Sequence, residues 1–448
     1  MAASRYRIVL RGRLSERFES AFDGMSLEHS PNRTVLVGDI RDQAQLYGLI
    51  GRLQEFGIEL LAVEPADGSG GSCQPGPGPL ASGLHATPAV TRRVTRHGRR
   101  HGLMNTLSVR ARMIEDDEER DLVIADGVIA DADPLRGTEP DSAGWVLPGL
   151  VDVRNHLSLA SPAGDNQDAD VRVRASASVE LALGVLAIRE PGSPDDASAR
   201  LAGQDGWPRV ITAGRFLAPP GGYFPGLARE VTAAGLPSAA GQEARRSGGW
   251  AKIIGDYLGP GGRFVPNWPA DVLAAAVAAG VDSVEHGWAV TDSHFAAMRE
   301  RGVAWVPTLF PGGSHAACEF AAAMGFADET LAWMRAALDT QPATIVRADA
   351  AGVTVLAGTD AGQGPHGMIV DQIQMLAGCG MPVTRAIGAA SWTARRYLGL
   401  PNLEPGAPAD LVVYDADPRR DLGVLRQPAM IVLGGQPIRR PAAGVMRH

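Results

Sequence analysis

Short apolar runs separated by longer, mixed segments dominate residues 147–357. The run Leu147-Pro148-Gly149-Leu150-Val151-Asp152-Val153 contains a Pro-Gly break and is too short for a helix, which is typical of a buried strand. Arg154 and His156 follow it. Six more runs of this kind lie at 184–189, 209–212, 251–254, 281–285, 303–306 and 353–357. The pattern predicts an α/β fold of parallel strands alternating with helices, as in a (β/α)8 TIM barrel.

Seven strands are one fewer than such a barrel contains. The segment from Lys252 to His286 holds one convincing helix, at 269–279, although a further strand with its own helix would need about 25 more residues. The repetitive stretch 275–280 marks the expected junction. We therefore predict a barrel, over 147–402, that lacks one βα unit around strand 5.

β-rich runs flank the barrel on both sides. Residues 107–114 and 121–129 precede it, with an Asp126-Gly127 hairpin signal, and 409–414 and 430–438 follow it. Strands at both ends predict a composite β-sandwich assembled from 105–146 and 403–442.

The N-terminal residues 1–64 form a separate pattern. Strand-like runs at 7–14, 34–38 and 58–63 alternate with helical spacing after Ser15 and after Asp42, so we predict a small α+β module. Its length favours an interaction or oligomerisation role over a catalytic one. Residues 65–104 are rich in Gly, Pro and then Arg, which predicts a flexible linker.

The composition of the chain argues against some classes of binding partner. The chain has 448 residues, 45% of them hydrophobic and 21% charged, and a net charge of −8, which argues against a nucleic-acid surface. The basic run at 92–101 lacks interleaved aromatic residues and indicates a solvated linker. Three distant cysteines and the lack of long apolar runs predict a cytoplasmic protein without a membrane span or disulfide framework.

Four polar residues at or just past predicted strand ends suggest a common site. They are His156, Lys252, His286 and Asp360. Imidazoles and a carboxylate at this end of a barrel suit a divalent cation such as zinc. A lysine can join them after losing its charge, most simply as a carbamate. Each residue alone has a structural interpretation, but their order favours a metal site.

Seven motifs in this order resemble the amidohydrolase superfamily, in its imidazolonepropionase-like and prolidase-like branch. The similarity covers about residues 105–440. The motifs are Leu147–Val153, Gly184-Val185 with Arg189-Glu190-Pro191-Gly192, Trp250–Asp256, Val284-Glu285-His286-Gly287, Val306-Pro307-Thr308-Leu309, Ala357–Gly362 and Gly406–Val412. The resemblance implies a metal-dependent hydrolase acting on carbon–nitrogen bonds in small amide substrates such as acylated amino acids, dipeptides or cyclic amides.

The resemblance also implies roles for single residues. His156, Lys252, His286 and Asp360 match metal ligands, and Asp360 would move the proton of the attacking water. His366 and Tyr223 are substrate-binding candidates, each against a structural role in its loop.

Two family ligands are altered. Arg154 stands where the first histidine of a His-X-His pair is expected, and a guanidinium offers no lone pair to a metal. The strand-5 histidine has no counterpart. Two interpretations stay open at this point: a working hydrolase, or an inactive relative in which Arg154 pairs with Asp360 and the N-terminal module provides binding or assembly. A homo-oligomer and an unclosed, less stable barrel are further possibilities.

Overall fold

The structure is a computed structural model that describes twelve segments of the chain. They are residues 4–11, 25–30, 33–40, 60–65, 106–131, 139–164, 167–224, 226–258, 264–268, 280–309, 313–323 and 326–438. The chain divides into two compact units, 1–98 and 99–448, which we describe separately.

The first unit contains a four-stranded antiparallel sheet. Its strands are β1 (Ser4–Arg11), β2 (Met25–Ser30), β3 (Arg33–Ile40) and β4 (Leu60–Pro65), in the order β2-β3-β1-β4. This is the order of split β-α-β-β-α-β sheets. Three of the strands were predicted within a few residues, whereas β2 was missed because it is short and polar. The predicted helices, and the linker with its basic run, lie outside the described residues.

The second unit begins and ends with strands of one sheet. The first group is β5 (Thr106–Met113), β6 (Glu119–Ala125), β7 (Val128–Ile129) and β8 (Ser142–Pro148); the second is β19 (Leu411–Tyr414), β20 (Met430–Leu433) and β21 (Gln436–Ile438). They form seven strands in the order β21-β20-β19-β8-β5-β6-β7. The strands before and after the parallel array therefore meet where β19 pairs antiparallel with β8. The described strands form one sheet, whereas the sequence predicted a sandwich of two.

Between these flanks, strands alternate with helices. The strands are β9 (Leu150–Asp152), β10 (Val185–Glu190), β11 (Arg209–Thr212), β12 (Phe216–Ala218), β13 (Ala228–Glu230), β14 (Lys252–Ile253), β15 (Asp256–Leu258), β16 (Phe264–Pro266), β17 (Ser283–Glu285) and β18 (Ala304–Val306). The helices are α1 (Ala169–Ala182), α2 (Ala197–Leu201), α3 (Leu236–Arg246), α4 (Asp292–Arg301), α5 (Gly313–Ala323), α6 (Asp328–Ala350), α7 (Ile369–Gly378), α8 (Val383–Gly388) and α9 (Trp392–Tyr397).

These strands form a parallel array of the TIM-barrel type. β9 pairs with β10 and β10 with β11, while β12 pairs with β14 and β17 with β18. The predicted strand at 353–357 joins β18 to β9, because the Trp305 amide donates to the Thr354 carbonyl (2.8 Å) and the Val153 amide to the Ala357 carbonyl (3.2 Å). The short hairpin β15–β16 was not predicted.

The array is not closed within the described residues. No strand pairing connects β14 with β17 there, and no parallel strand is described between them. The predicted helix at 269–279 lies outside the described segments. The opening coincides with the place where the sequence predicts a missing βα unit.

Two apolar layers hold this unit together. The outer layer packs helices such as α1 and α7 on the strands, through side chains that include Leu186, Ile188 and Ile373. The inner layer joins strand interiors, among them Val151, Ala304 and Leu356, to α9. In the described part of the chain, no helix is both long and apolar enough to cross a membrane.

Candidate active site

The predicted site residues lie at one end of the parallel array. His156 follows β9, Lys252 lies in β14, His286 follows β17, and Asp360 follows the segment 353–357. Carboxyl ends of parallel strands meet at one edge, which explains why distant residues converge. The structure brings His156, His286 and Asp360 into contact with one another or with Arg154.

Backbone strain marks the same edge. His286, Thr308 and Asp360 have positive φ angles of 58°, 49° and 55° after three successive strands of the array. Such conformations in residues other than glycine cost about 1–3 kcal/mol each and tend to occur at functional sites. The sequence carried no signal for this feature, and Thr308 was not predicted as a site residue.

The guanidinium of Arg154 lies in the middle of the site. Its Nε is 2.9 Å from Oδ1 of Asp360, its Nη1 donates to Oε2 of Glu285 (3.2 Å), and its Nη2 donates to Nε2 of His286 (2.9 Å). The Arg154 side chain is 4% exposed. The donation to His286 uses the lone pair that this imidazole would otherwise offer to a cation.

Opposite charges keep Arg154, Glu285 and Asp360 ionised despite their burial. Burial opposes ionisation, but Arg189 and Arg154 lower the pKa of Glu285, and Arg154 also helps to hold the pKa of Asp360 well below its usual range. In turn, Asp360 and Glu285 overcome burial and raise the pKa of Arg154. Burial and then Arg154 lower the pKa of His286 to about 3, so its imidazole is neutral at pH 7.

Glu285 is a site residue that sequence reasoning missed. Its two oxygens bind two arginines: Oε1 accepts from Arg189 Nη2 (2.5 Å), and Oε2 accepts from Arg154. Arg189 also donates from Nε to the Val153 carbonyl (2.7 Å) and lies over the Trp250 ring. The sequence did contain a signal for this role. Glu285 is a charged residue inside the short strand β17, and a buried charge needs a partner.

His156 keeps the geometry of a ligand. Its Nδ1 donates to the Gly192 carbonyl (2.7 Å), which leaves the lone pair on Nε2, 3.3 Å from Oδ1 of Asp360. Burial lowers the pKa of His156. A hydrogen bond from the second ring nitrogen to a carbonyl is common in metal-binding histidines.

Lys252 lies at the edge of the opening. Burial, and next the positive charge of Arg154, lower the pKa of its amine to about 7. A partly neutral amine is compatible with the carbamate implied by the family resemblance.

The residues present do not fit the expected metal. Catalytic zinc needs about three protein ligands. His156 and Asp360 supply two on one side, while Arg154 occupies the lone pair of His286 on the other. Across the described segments, no group of three or more His, Cys, Asp or Glu side chains is placed to hold an ion.

The two substrate candidates occupy different surroundings. Tyr223 packs on Phe216 (5.2 Å between ring centroids), near the site, and burial raises its pKa to about 12. The His366 side chain is 2% exposed, with Nε2 3.2 Å from the Leu159 carbonyl and Nδ1 3.4 Å from Glu180. These contacts place His366 beside Glu180, and its role toward substrate stays a prediction.

A buried carboxylate fixes the edge of the site. Asp152 accepts from the amides of Arg154 and Thr359 (both 3.1 Å) and from the side chains of Asn155 (3.0 Å) and Thr359 (2.5 Å). These bonds join the end of β9 to the residue preceding Asp360. Asp152 is thus a positioning residue that the sequence motif contained but did not identify.

Comparisons with known proteins identify the class. The amidohydrolase family profile matches residues 272–438, and a domain of unknown function matches residues 5–64. Uncharacterized proteins of Mycobacterium tuberculosis and Mycobacterium bovis are 37% identical over 363 residues, covering 74% of this chain and 95% of theirs. The chain belongs to the amidohydrolase superfamily.

Solved structures agree on the fold. A Xaa-Pro dipeptidase with bound methionine has a TM-score of 0.59 at 22% identity and covers 74% of this chain and 99% of its own. A putative prolidase from Bifidobacterium longum scores 0.62 at 22% identity, covering 76% and 96%. At these identities the likeness shows a shared TIM-barrel-type fold.

Proposed function

We propose that this amidohydrolase-superfamily protein binds a small amide-type ligand at a site where Arg154 replaces the metal, and that it lacks hydrolysis by metal-activated water. One observation carries the proposal: the Arg154 guanidinium contacts Asp360, Glu285 and His286 together. A fixed cation there uses the acceptors that a bound metal would need.

Charge balance supports this proposal. Arg154 and Arg189 face the two carboxylates Glu285 and Asp360, so the four groups are neutral together. A divalent cation about 4 Å from Arg154 would be repelled by that charge by roughly 8 kcal/mol at an effective dielectric near 20. The carboxylates that could offset this repulsion already pair with the two arginines. The cluster is thus complete without a further cation.

The second candidate is metal-dependent hydrolysis of a carbon–nitrogen bond. It is favoured by His156, whose free Nε2 faces Asp360, and by the lowered pKa of Lys252, about 7, which suits carbamate formation. This candidate needs Arg154 to move away from His286.

Metal analysis distinguishes the two candidates. Protein purified from cells grown with zinc is expected to hold less than about 0.2 equivalents of divalent metal, because a working site would hold one or more. Arg154→His, which returns a lone pair to the site, is the matched variant and should bind more metal than the wild type. About one equivalent in the wild type, together with hydrolysis of an N-acyl amino acid that Asp360→Asn abolishes, would establish the second candidate instead.

A further inference from the structure

Aromatic side chains extend away from His156 in a first row. The ring centroids of His156 and Phe216 are 5.4 Å apart, and those of Phe216 and Tyr223 are 5.2 Å apart. Tyr223 then contacts both Phe224 (5.1 Å) and Tyr257 (5.5 Å). Phe216 is buried, whereas Tyr223, Phe224 and Tyr257 are partly exposed.

A second row extends away from His286. The rings of His286 and Trp288 are 5.8 Å apart, and those of Trp288 and Trp333 are 6.4 Å apart. Trp333 lies on α6 and is 45% exposed. Since both histidines approach the same Asp360 carboxylate, at 3.3 and 3.7 Å, the two rows converge on one point.

The two rows place several aromatic side chains around one polar site. The chain has ten Phe, eight Trp and six Tyr residues, and six of these 24 lie in the two rows. Phe216 lies in β12, and Tyr223 and Phe224 follow that strand. Tyr257 lies in β15, Trp288 follows β17, and Trp333 lies on α6. Fully buried aromatic residues elsewhere, such as Trp305, serve the core. Partly exposed rings at a polar site are typical of ligand pockets.

We propose that the ligand of this site carries a planar aromatic group, which stacks on one of the two rows while its amide lies at Asp360. This inference rests on the proposed function. The arginines and carboxylates at the base pair with one another. The two rows bring aromatic rings to these groups, and a planar group can stack on such rings. Both rows begin at histidines within the site, which favours a small molecule over a protein as the ligand.

Two probes that differ by one ring test the proposal. We would titrate the full chain with N-benzoylglycine and N-acetylglycine by calorimetry. The benzoyl compound is expected to bind about tenfold more tightly, a difference of about 1.4 kcal/mol, since its ring adds both apolar burial and aromatic stacking. Trp288→Ala or Tyr223→Ala should remove that preference, and Trp288→Phe should keep it.

Trp207→Ala is the matched control. Trp207 precedes β11, at the opposite end of the array, and stacks under Arg174. It should leave the preference unchanged. Equal binding of both probes would overturn the aromatic inference alone, whereas binding of neither would overturn the ligand-binding function as well. A preference that survives Trp288→Ala, Trp333→Ala and Tyr223→Ala would place the aromatic group elsewhere and also overturn the inference.

Discussion

At the scale of single residues, the buried charge of Arg154 balances the charges of Asp360 and Glu285. A buried ion pair adds little net stability, because desolvation of both partners offsets their attraction. Removing one partner is different, since Asp360 and Glu285 would then keep buried charges without compensation. Arg154 is therefore best regarded as a required counter-ion.

We expect Arg154→Met to lower the free energy of unfolding by about 3–5 kcal/mol at pH 7, which is the usual cost of breaking a buried pair. Urea unfolding followed by circular dichroism measures it. Arg112→Met is the control, because Arg112 is 38% exposed in its pair with Asp117 and its loss should cost less than about 1 kcal/mol. Similar small losses for both variants would contradict the counter-ion role.

Glu190 gives a prediction about pH. Its carboxyl group is fully buried, and burial raises its pKa to about 8. The unfolded chain releases this proton near pH 4.5, whereas the folded chain keeps it up to about pH 8. The contribution of Glu190 to stability is therefore complete below about pH 4.5 and falls as pH rises toward 8.

Glu190→Gln removes that titration. The stability of this variant relative to the wild type should rise by about 1 kcal/mol for each pH unit between 5 and 8. Denaturant unfolding at a series of pH values measures the difference. A difference that is independent of pH would show that Glu190 is ionised in the folded protein.

At the scale of elements, a glycine allows close packing between the composite sheet and the barrel. Gly184 precedes β10 with φ +82°, and a Cβ atom there would lie 2.8 Å from Cγ2 of Val412 in β19. Gly203 has a similar φ of +77°, but nothing lies within 4 Å of its Cβ position. The two glycines thus share a backbone conformation and differ in their surroundings.

We expect Gly184→Ala to destabilise the protein by about 2–4 kcal/mol, because backbone strain and overpacking add. Gly203→Ala should cost about 1 kcal/mol from strain alone. Thermal unfolding of both variants provides the comparison. Equal losses would mean that β10 and β19 separate easily, contrary to their packing here.

At the scale of the whole molecule, the parallel array has an opening between β14 and β17 in the described residues. Strands with an unpaired edge exchange their amide hydrogens more readily than strands paired on both sides. The opening lies beside Lys252 and Glu285, so it bears directly on access to the site.

Hydrogen exchange followed by mass spectrometry tests this opening. Peptides covering β14 and β17 should exchange at least about tenfold faster than those covering β9 and β10, which are paired on both sides. Equal protection of all four strands would indicate that residues 269–279 or a partner chain close the gap.

Several strands, the superfamily and one altered site residue could be predicted from the sequence alone. Apolar runs of a few residues predicted the strands at 185–190 and 209–212 within one residue, because a buried strand is encoded by contiguous side chains. The ordered motifs identified the superfamily. The absence of a lone pair on Arg154 was equally a property of the residue type.

Only the tertiary structure decided what Arg154 does. Its hydrogen-bond partners Glu285 and His286 lie 131 and 132 residues away in sequence, and Glu285 also needs Arg189. Pairing of buried charges depends on which strand ends meet, so it cannot be deduced from local patterns. The same reason applies to His366, which the fold places against Glu180. The sequence determined the scaffold and its chemical groups, and the packing of the strands determined which charges neutralise one another.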